Sequence, residues 1–331
     1  MQHFSQYYFS KDDQYQAHKT KPRVETVRQA VDLIEACFSN CIKDALEKNN
    51  EDKIGVLLSG GVDSSLLVAM LQKQTDKEIV CFTALSENND PDVLPSKQIA
   101  HIFNVKWVKC RIRKQDLAQQ LPSIIKLSKG GLYSTGANLA LDSCLKRCQE
   151  EGIKTLWTGN GLDMLFGGGV DCHRFKTNNA TEFHRLFWDF SFDLLTNRFY
   201  QQTGDEINAL AVQYGVNIIM PFENLNSIIC ARSIPATLLF KYDEDKYPIR
   251  VLAHRYGVPL YLARRKKDPL QHSSGIFDLL REYMYETLPD LIHDAVNFKL
   301  TKHYFAANPD TDLQLFLALL AKEANYRDHK N

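Results

Sequence analysis

From Val24 to Lys48 the apolar residues Val27, Ala30, Val31, Ile34, Phe38, Ile42 and Leu46 recur at spacings of three and four, which predicts an amphipathic helix. An apolar run from Ile54 to Leu58 follows with the composition of a buried strand. Ser59-Gly60-Gly61 breaks it, and Leu66 to Leu71 continues in a helical pattern. Glu78 to Leu85 reads as a second strand, Lys97 to Phe103 as a helix and Val105 to Ile112 as a third strand. Leu117 to Leu127 and Ala137 to Cys148 read as helices, and Lys154 to Trp157 as a fourth, short strand. This alternation predicts an α/β fold with a doubly wound parallel sheet, whose ligands bind beyond the C-terminal strand ends.

After Gly169 the pattern changes. Thr181 to Tyr200, Glu206 to Tyr214, Asn226 to Arg232, Lys246 to Arg255, Ile276 to Leu288 and Asp312 to Tyr326 all read as helices. The expected organisation is an N-terminal lead-in and helix over residues 1–50, an α/β core over 51–170 and a mainly helical part over 171–331.

Composition narrows the class. The 331 residues are 44% hydrophobic, enough for a sizeable core, and 40 basic residues balance 40 acidic ones. A net charge of zero gives no overall reason to expect a nucleic-acid partner. The eight cysteines lack the dense short-loop spacing of a secreted scaffold, so they read as reduced thiols. Cys37/Cys41 and Cys144/Cys148 would each share a helix face; small buried residues are the preferred reading over a four-thiolate metal site, because no CxxC knuckle occurs. No run of about 18 apolar residues and no signal-like N-terminus is present, so a cytoplasmic chain without a membrane partner is expected.

Candidate chemistry sits at two strand ends. In IGVLLSGGVDSS, Gly60 and Gly61 let backbone N–H groups approach an anion, and Ser59, Ser64 and Ser65 carry hydroxyl donors. The following helix turns its partly positive N-terminus to the same place. Asp63 would repel a bare anion, so a Mg2+-nucleotide is the expected ligand. The fourth strand likewise runs into TGNGLDMLFGG, with Gly159, Gly161 and Asp163 in its turn, so that Asp63 and Asp163 emerge from one sheet as candidate Mg2+ ligands. No Gly-Lys-Ser/Thr follows the first loop, which argues against a kinase or GTPase.

SGGVDSS resembles the pyrophosphate loop of the N-type ATP pyrophosphatases (the adenine nucleotide α-hydrolase, or PP-loop, fold), and TGNGLDMLFGG resembles the asparagine synthetase motif SGEGxDELFGG. Gly215 to Asn224, GVNIIMPFEN, is similar to that family's VEARVPFLD. Lys246-Tyr247-Pro248-Ile249-Arg250 is similar to its KxxLR, and Arg264 to Lys267 to its RxKK. The resemblance covers roughly residues 25 to 290. It implies an ATP-dependent, AMP-forming amide ligase using ATP and Mg2+, in which a carboxylate attacks the α-phosphorus and a nitrogen nucleophile then displaces AMP. Ser59, Gly60, Gly61, Ser64 and Ser65, with Gly159 and Gly161, would hold the phosphates. Lys246 matches the catalytic lysine, and Arg265 or Lys267 is a second candidate cation.

The sequence departs from the family at several points. Gln2 stands where glutamine-using members have a cysteine nucleophile, and only about fifty residues precede the loop. The nitrogen is therefore expected from ammonia or an amine, from a separate glutaminase subunit, or from the substrate itself. Asn160, Met164, Gly169, Asn217, Ile219 and Asn224 replace charged or aromatic family residues, so aspartate is a doubtful substrate. A β-lactam synthetase-like base has candidates in Asp189 or Asp193, with Tyr133 and His173 as alternatives. A nucleobase- or tRNA-modifying PP-loop enzyme and a non-catalytic nucleotide-binding subunit are the rival readings. The carboxylate, the amine and any homo-oligomeric assembly are left open by the sequence.

Overall fold

The computed structural model describes residues 17, 19–87, 90–128, 131–168, 177, 179–193, 199–266, 273–294 and 317. Five strands form one sheet: β1 (Lys53–Leu57), β2 (Glu78–Leu85), β3 (Lys106–Arg111), β4 (Thr155–Trp157) and β5 (Asn217–Ile219). Their order is β3-β2-β1-β4-β5 and every pairing is parallel, with Val56 opposite Cys81 on one side and Trp157 on the other. Strand order therefore reverses between β1 and β4, the place where such sheets open a crevice at their C-terminal ends.

Alternation along the strands sorts side chains onto two cores. Ile54, Val56, Ile79, Cys81 and Trp157 join one apolar cluster, whereas Val80, Phe82, Ala84, Val108 and Leu156 join the other. Helices α1 (Val27–Glu47) and α2 (Val62–Gln74) cover the first face. The second is covered by α4 (Lys114–Ser128) and α5 (Leu132–Glu150); α3 (Val93–Ile102) packs against β2 and β3. Leu66 to Leu71 of α2 are all buried, the state of a helix wrapped by protein on every side.

The elements of the second half continue as α6 (Leu162–Phe166), α7 (Ala180–Asp193), α8 (Phe199–Gln213), α9 (Leu225–Arg232), α10 (Ala236–Leu239), α11 (Tyr247–Arg255), α12 (Leu260–Ala263) and α13 (Ile276–Asp294). The expected α/β class, parallel sheet and helical second half are all present. One element is added: residues 217–219, given no element of their own in the half expected to be mainly helical, are the fifth strand. Three residues carry too little periodicity to announce a strand, and β5 is specified by pairing with β4.

Two boundaries shift for local reasons. Helix α1 begins at Val27 because Thr26 and Gln29 close a capping box: the Gln29 N–H donates to Thr26 Oγ1 at 3.2 Å, and the Thr26 N–H donates to Gln29 Oε1 at 3.1 Å. Helix α5 begins at Leu132, five residues before the periodic run. Its polar Thr135 and Asn138 are buried with partners: Thr135 Oγ1 lies 2.7 Å from Ser128 Oγ, and Asn138 donates to Glu206 Oε2 at 3.0 Å.

The first core contains α1, the sheet and α9 to α12 together, so residues from all three expected segments share it. Phe38 of α1 lies edge-on to Phe166 of α6 at 5.8 Å and 4.3 Å from Phe222, which seats the second glycine-rich turn against the body. The seven described cysteines are free. A hydrogen bond to Cys230 pushes the Cys37 thiol up to about 12, and burial raises Cys81 and Cys148 further, so these are packing thiols rather than nucleophiles. Among the described residues no helix is long and apolar enough to cross a membrane.

Candidate active site

Both glycine-rich turns lie at the strand-order reversal. After β1 the chain turns at Gly60 (φ +67°), where a Cβ would stand 2.6 Å from Pro95 Cβ and 2.7 Å from the Ser96 nitrogen, so only glycine fits between the loop and α3. Gly61 caps α2 in an extended conformation and directs the N-terminus of a 13-residue helix at the turn.

Within the loop, Ser64 is a brace. Its Oγ accepts from the Ser59 N–H at 3.3 Å, lies 3.2 Å from Ser59 Oγ and donates to the Gly61 carbonyl at 3.2 Å. The Ser65 hydroxyl is buried without a hydrogen-bond partner among the described residues. An orphaned buried hydroxyl at the start of this helix fits a site built to receive an oxyanion.

The turn after β4 packs onto the first. A Cβ on Gly159 would lie 3.0 Å from the Asp63 carbonyl carbon and 3.1 Å from the Ser64 nitrogen, so the two loops meet backbone to backbone. Gly161 (φ +93°) caps the five-residue α6, and the N–H groups of Gly167 and Gly168 both donate to the Asp163 carbonyl, at 2.9 and 2.7 Å. This closes a tight knot that presents the Asp163 carboxylate, with 61% of its side chain exposed, to the crevice.

Lys246 joins the two loops. Its Nζ donates to Asp63 Oδ2 at 2.6 Å and is ion-paired with Asp163 as well. Burial alone would lower its pKa, but the two carboxylates outweigh that and raise it, so the ammonium stays charged. Lys246 caps α11 from the left-handed region (φ +51°), an uncommon conformation for a residue with a Cβ and one that clusters at functional sites.

The donor set fits a divalent cation: two carboxylates converge on one positive group, and one of them is open to solvent. No group of three or more His, Cys, Asp or Glu side chains gathers for a metal among the described residues. A Mg2+ ion held by Asp63 and Asp163 would therefore take its remaining ligands from phosphate oxygens and water.

Arg265 lies beside the first loop, its Nη1 3.5 Å from the Gly60 carbonyl. Its Nη2 donates to the Pro91 carbonyl at 3.0 Å and to Asp92 Oδ1 at 2.9 Å, and Asp92 Oδ2 accepts from Ser273 Oγ at 2.7 Å. Asp189 is not brought to this site. It is exposed on α7 and paired with Arg185 at 2.8 Å, the solvated helical aspartate that an i,i+4 partner produces. Tyr133 is 55% exposed and meets the Phe277 ring at a tilt of 59°, with centroids 5.9 Å apart. Lys267, His173 and the side chain of Asp193 lie outside the described residues, as do Cys172, Gly169 and all of Asp312 to Tyr326 except Leu317.

Of the substituted positions, Asn224 has a structural duty. Its Oδ1 accepts from the Ser227 N–H at 3.0 Å as the cap of α9, and its Nδ2 donates to the Pro221 carbonyl at 2.7 Å. Asn160 is exposed in the second turn, with its N–H on Thr158 Oγ1 at 3.0 Å.

Two further residues border Lys246. Gly168 is bare where a Cβ would collide with Lys246 Cε, and Arg250 is buried at the centre of a backbone network described below. Both sit inside segments whose family likeness is visible, but neither role is signalled by residue type alone.

Comparison with known proteins bears on the family. The chain is 25% identical over 187 residues to a putative glutamine-hydrolyzing asparagine synthetase of Methanocaldococcus jannaschii, covering 56% of this chain and 33% of that protein. It is 23% identical over 301 residues to a probable glutamine-hydrolyzing asparagine synthetase of Dictyostelium discoideum, covering 82% and 51%. The chain thus spans about half or less of the length of these relatives. Among solved structures, an NH3-dependent NAD synthetase from Campylobacter jejuni aligns with 58% of the chain at 13% identity and a TM-score of 0.32, too low to add to the fold argument. The family model for asparagine synthase matches residues 34–214, which includes both turns and more than half of the sequence, and the chain belongs to the asparagine synthase family.

Proposed function

We propose that this chain is an ATP-dependent, AMP-forming amide ligase that activates a small carboxylate as its acyl-adenylate and transfers it to ammonia or an amine. The observation that carries the reading is Lys246 Nζ on Asp63 and Asp163 together, where the turns after two adjacent parallel strands meet. A site for cleaving ATP between its α- and β-phosphates needs anion donors, a divalent cation and a movable positive charge at one point.

Backbone N–H groups of Gly60 and Gly61, the Ser59 and Ser65 hydroxyls and the N-terminus of α2 would bind the departing pyrophosphate, while Ser64 keeps the loop in shape. Asp63 and Asp163 would hold Mg2+, which when bound neutralises charge on the β- and γ-phosphates. The carboxylate oxygen of the substrate attacks the α-phosphorus, the bond to the bridging oxygen breaks, and pyrophosphate leaves with that electron pair. Lys246 would follow the charge that grows on the α-phosphoryl oxygens. The nitrogen nucleophile then adds to the acyl carbon, the acyl C–O bond breaks so that AMP leaves with its electron pair, and the nitrogen gives up a proton to solvent. Arg265, committed to Asp92 and Pro91, would act by bracing the loop at Gly60 rather than by touching phosphate.

The acceptor side supports no particular carboxylate. Asn160 and Met164 stand at the second turn in place of the family's glutamates, so the substrate would carry fewer charged groups than aspartate. Nitrogen would come from free ammonia, an amine or a partner glutaminase. The test is substrate-dependent exchange of labelled pyrophosphate into ATP across a panel of carboxylates. Exchange in the unmodified protein that is lost in Asp63→Asn and in Lys246→Ala is expected; full exchange in both variants would sink the assignment.

A further inference from the structure

We propose that Arg250 is a positioning residue that sets Lys246 over the pyrophosphate loop, a role that rests on the ligase reading for its catalytic consequence but not for its structural one. Arg250 is buried and its guanidinium serves two segments at once. On one side Nε donates to the Asp245 carbonyl at 2.7 Å, and Nη2 pairs with the Asp245 carboxylate. That carbonyl belongs to the peptide leading into Lys246, so the bond fixes the plane from which the lysine enters its left-handed conformation. On the other side Nη1 donates to the carbonyls of Ala263, at 2.9 Å, and Arg265, at 3.3 Å.

Through Arg265 the second arm reaches the first loop, because the Arg265 guanidinium lies against the Gly60 carbonyl and is tied to Asp92. One planar fork therefore registers the lysine-bearing turn against the turn that faces Gly60. A lysine at position 250 would offer a point charge to one of these carbonyls and leave the others without a donor. Mere burial of a cation would not require donors divided between the two segments.

The test uses the full chain with Arg250→Met, Arg250→Lys and Asp245→Asn. Reductive methylation of Lys246 in the nucleotide-free protein, read by peptide mass spectrometry, should rise tenfold or more in Arg250→Met and nearly as much in Arg250→Lys. Pyrophosphate exchange should lose thirtyfold or more in kcat with the KM for ATP within threefold, a split that general loosening of the fold would not produce. A folded Arg250→Met with Lys246 modified at the wild-type rate overturns the proposal. If that variant does not fold, Asp245→Asn decides, since its side chain is 38% exposed: a threefold or greater rise in Lys246 modification supports the role, and an unchanged rate overturns it. Increased modification in a protein that shows no exchange with any carboxylate would keep the positioning role and remove the ligase reading instead.

Discussion

The stem of Lys246 passes through the space that a Cβ on Gly168 would occupy: a methyl group built there collides with Lys246 Cε and stands 2.6 Å from Nζ. The glycine that ends the second turn is therefore the passage for the lysine that joins both turns. A flexible side chain can swing aside at little cost to the fold, but not while holding Asp63 and Asp163. Gly168→Ala is expected to fold, with a stability loss of about 1–2 kcal/mol. Pyrophosphate exchange should fall by roughly 100-fold, as expected when a transition-state charge is misplaced. Exchange within threefold of wild type would show that Lys246 does not work from this position.

The same lysine neutralises two carboxylates that face one another across the loops. In Lys246→Met that charge is removed and the Asp63–Asp163 pair is left to repel, which costs about 1–3 kcal/mol at low salt. Millimolar Mg2+ should restore much of the loss in the variant while changing the wild type little. Thermal melting with and without Mg2+, free of nucleotide, measures this. Equal Mg2+ responses in the two proteins would show that the pair is not a cation site.

Much of this arrangement was legible from residue types. The strand, turn and helix around Gly60 follow from an apolar run broken by Ser59-Gly60-Gly61, and the matching turn around Asp163 follows in the same way, because positive φ and close backbone approach demand glycine at Gly60 and Gly161. Lys246 was legible only through its family likeness, since nothing local distinguishes it from a solvated lysine. Residue type does not decide the role of Asp189, because an aspartate on an amphipathic helix looks the same whether it faces a substrate or Arg185. Residues 217–219 and Arg250 take their roles from segments distant in sequence, the β4 edge and the carbonyls of Ala263 and Arg265, and periodicity carries no information about such pairings.

Asn224 separates capping from substrate recognition. It stands where the family segment has an aspartate, yet its side chain is consumed by Ser227 N–H, the Pro221 carbonyl and Cys41. Asn224→Ala should lower stability by about 1 kcal/mol through loss of the cap of α9 and leave the KM for the carboxylate within threefold. A tenfold rise in that KM at unchanged stability would place Asn224 in the acceptor pocket instead.

His184 makes the fold sensitive to acid. Burial, reinforced by the nearby Arg232 charge, holds its pKa down to about 4 from 6.5, and its Nδ1 accepts from the Ala236 N–H at 3.2 Å. The ring is neutral when folded, whereas the unfolded chain takes up a proton below about pH 6.5. The depressed folded value means that this contribution is fully present above pH 6.5 and is lost as pH falls toward 4. Allowing for the partial exposure of the ring, the loss is about 1–2 kcal/mol. His184→Asn keeps an acceptor for Ala236 and removes the titration, so its urea midpoint should fall less than that of the wild type between pH 7 and pH 4.5. Parallel losses in the two proteins would assign the acid sensitivity to carboxylates elsewhere.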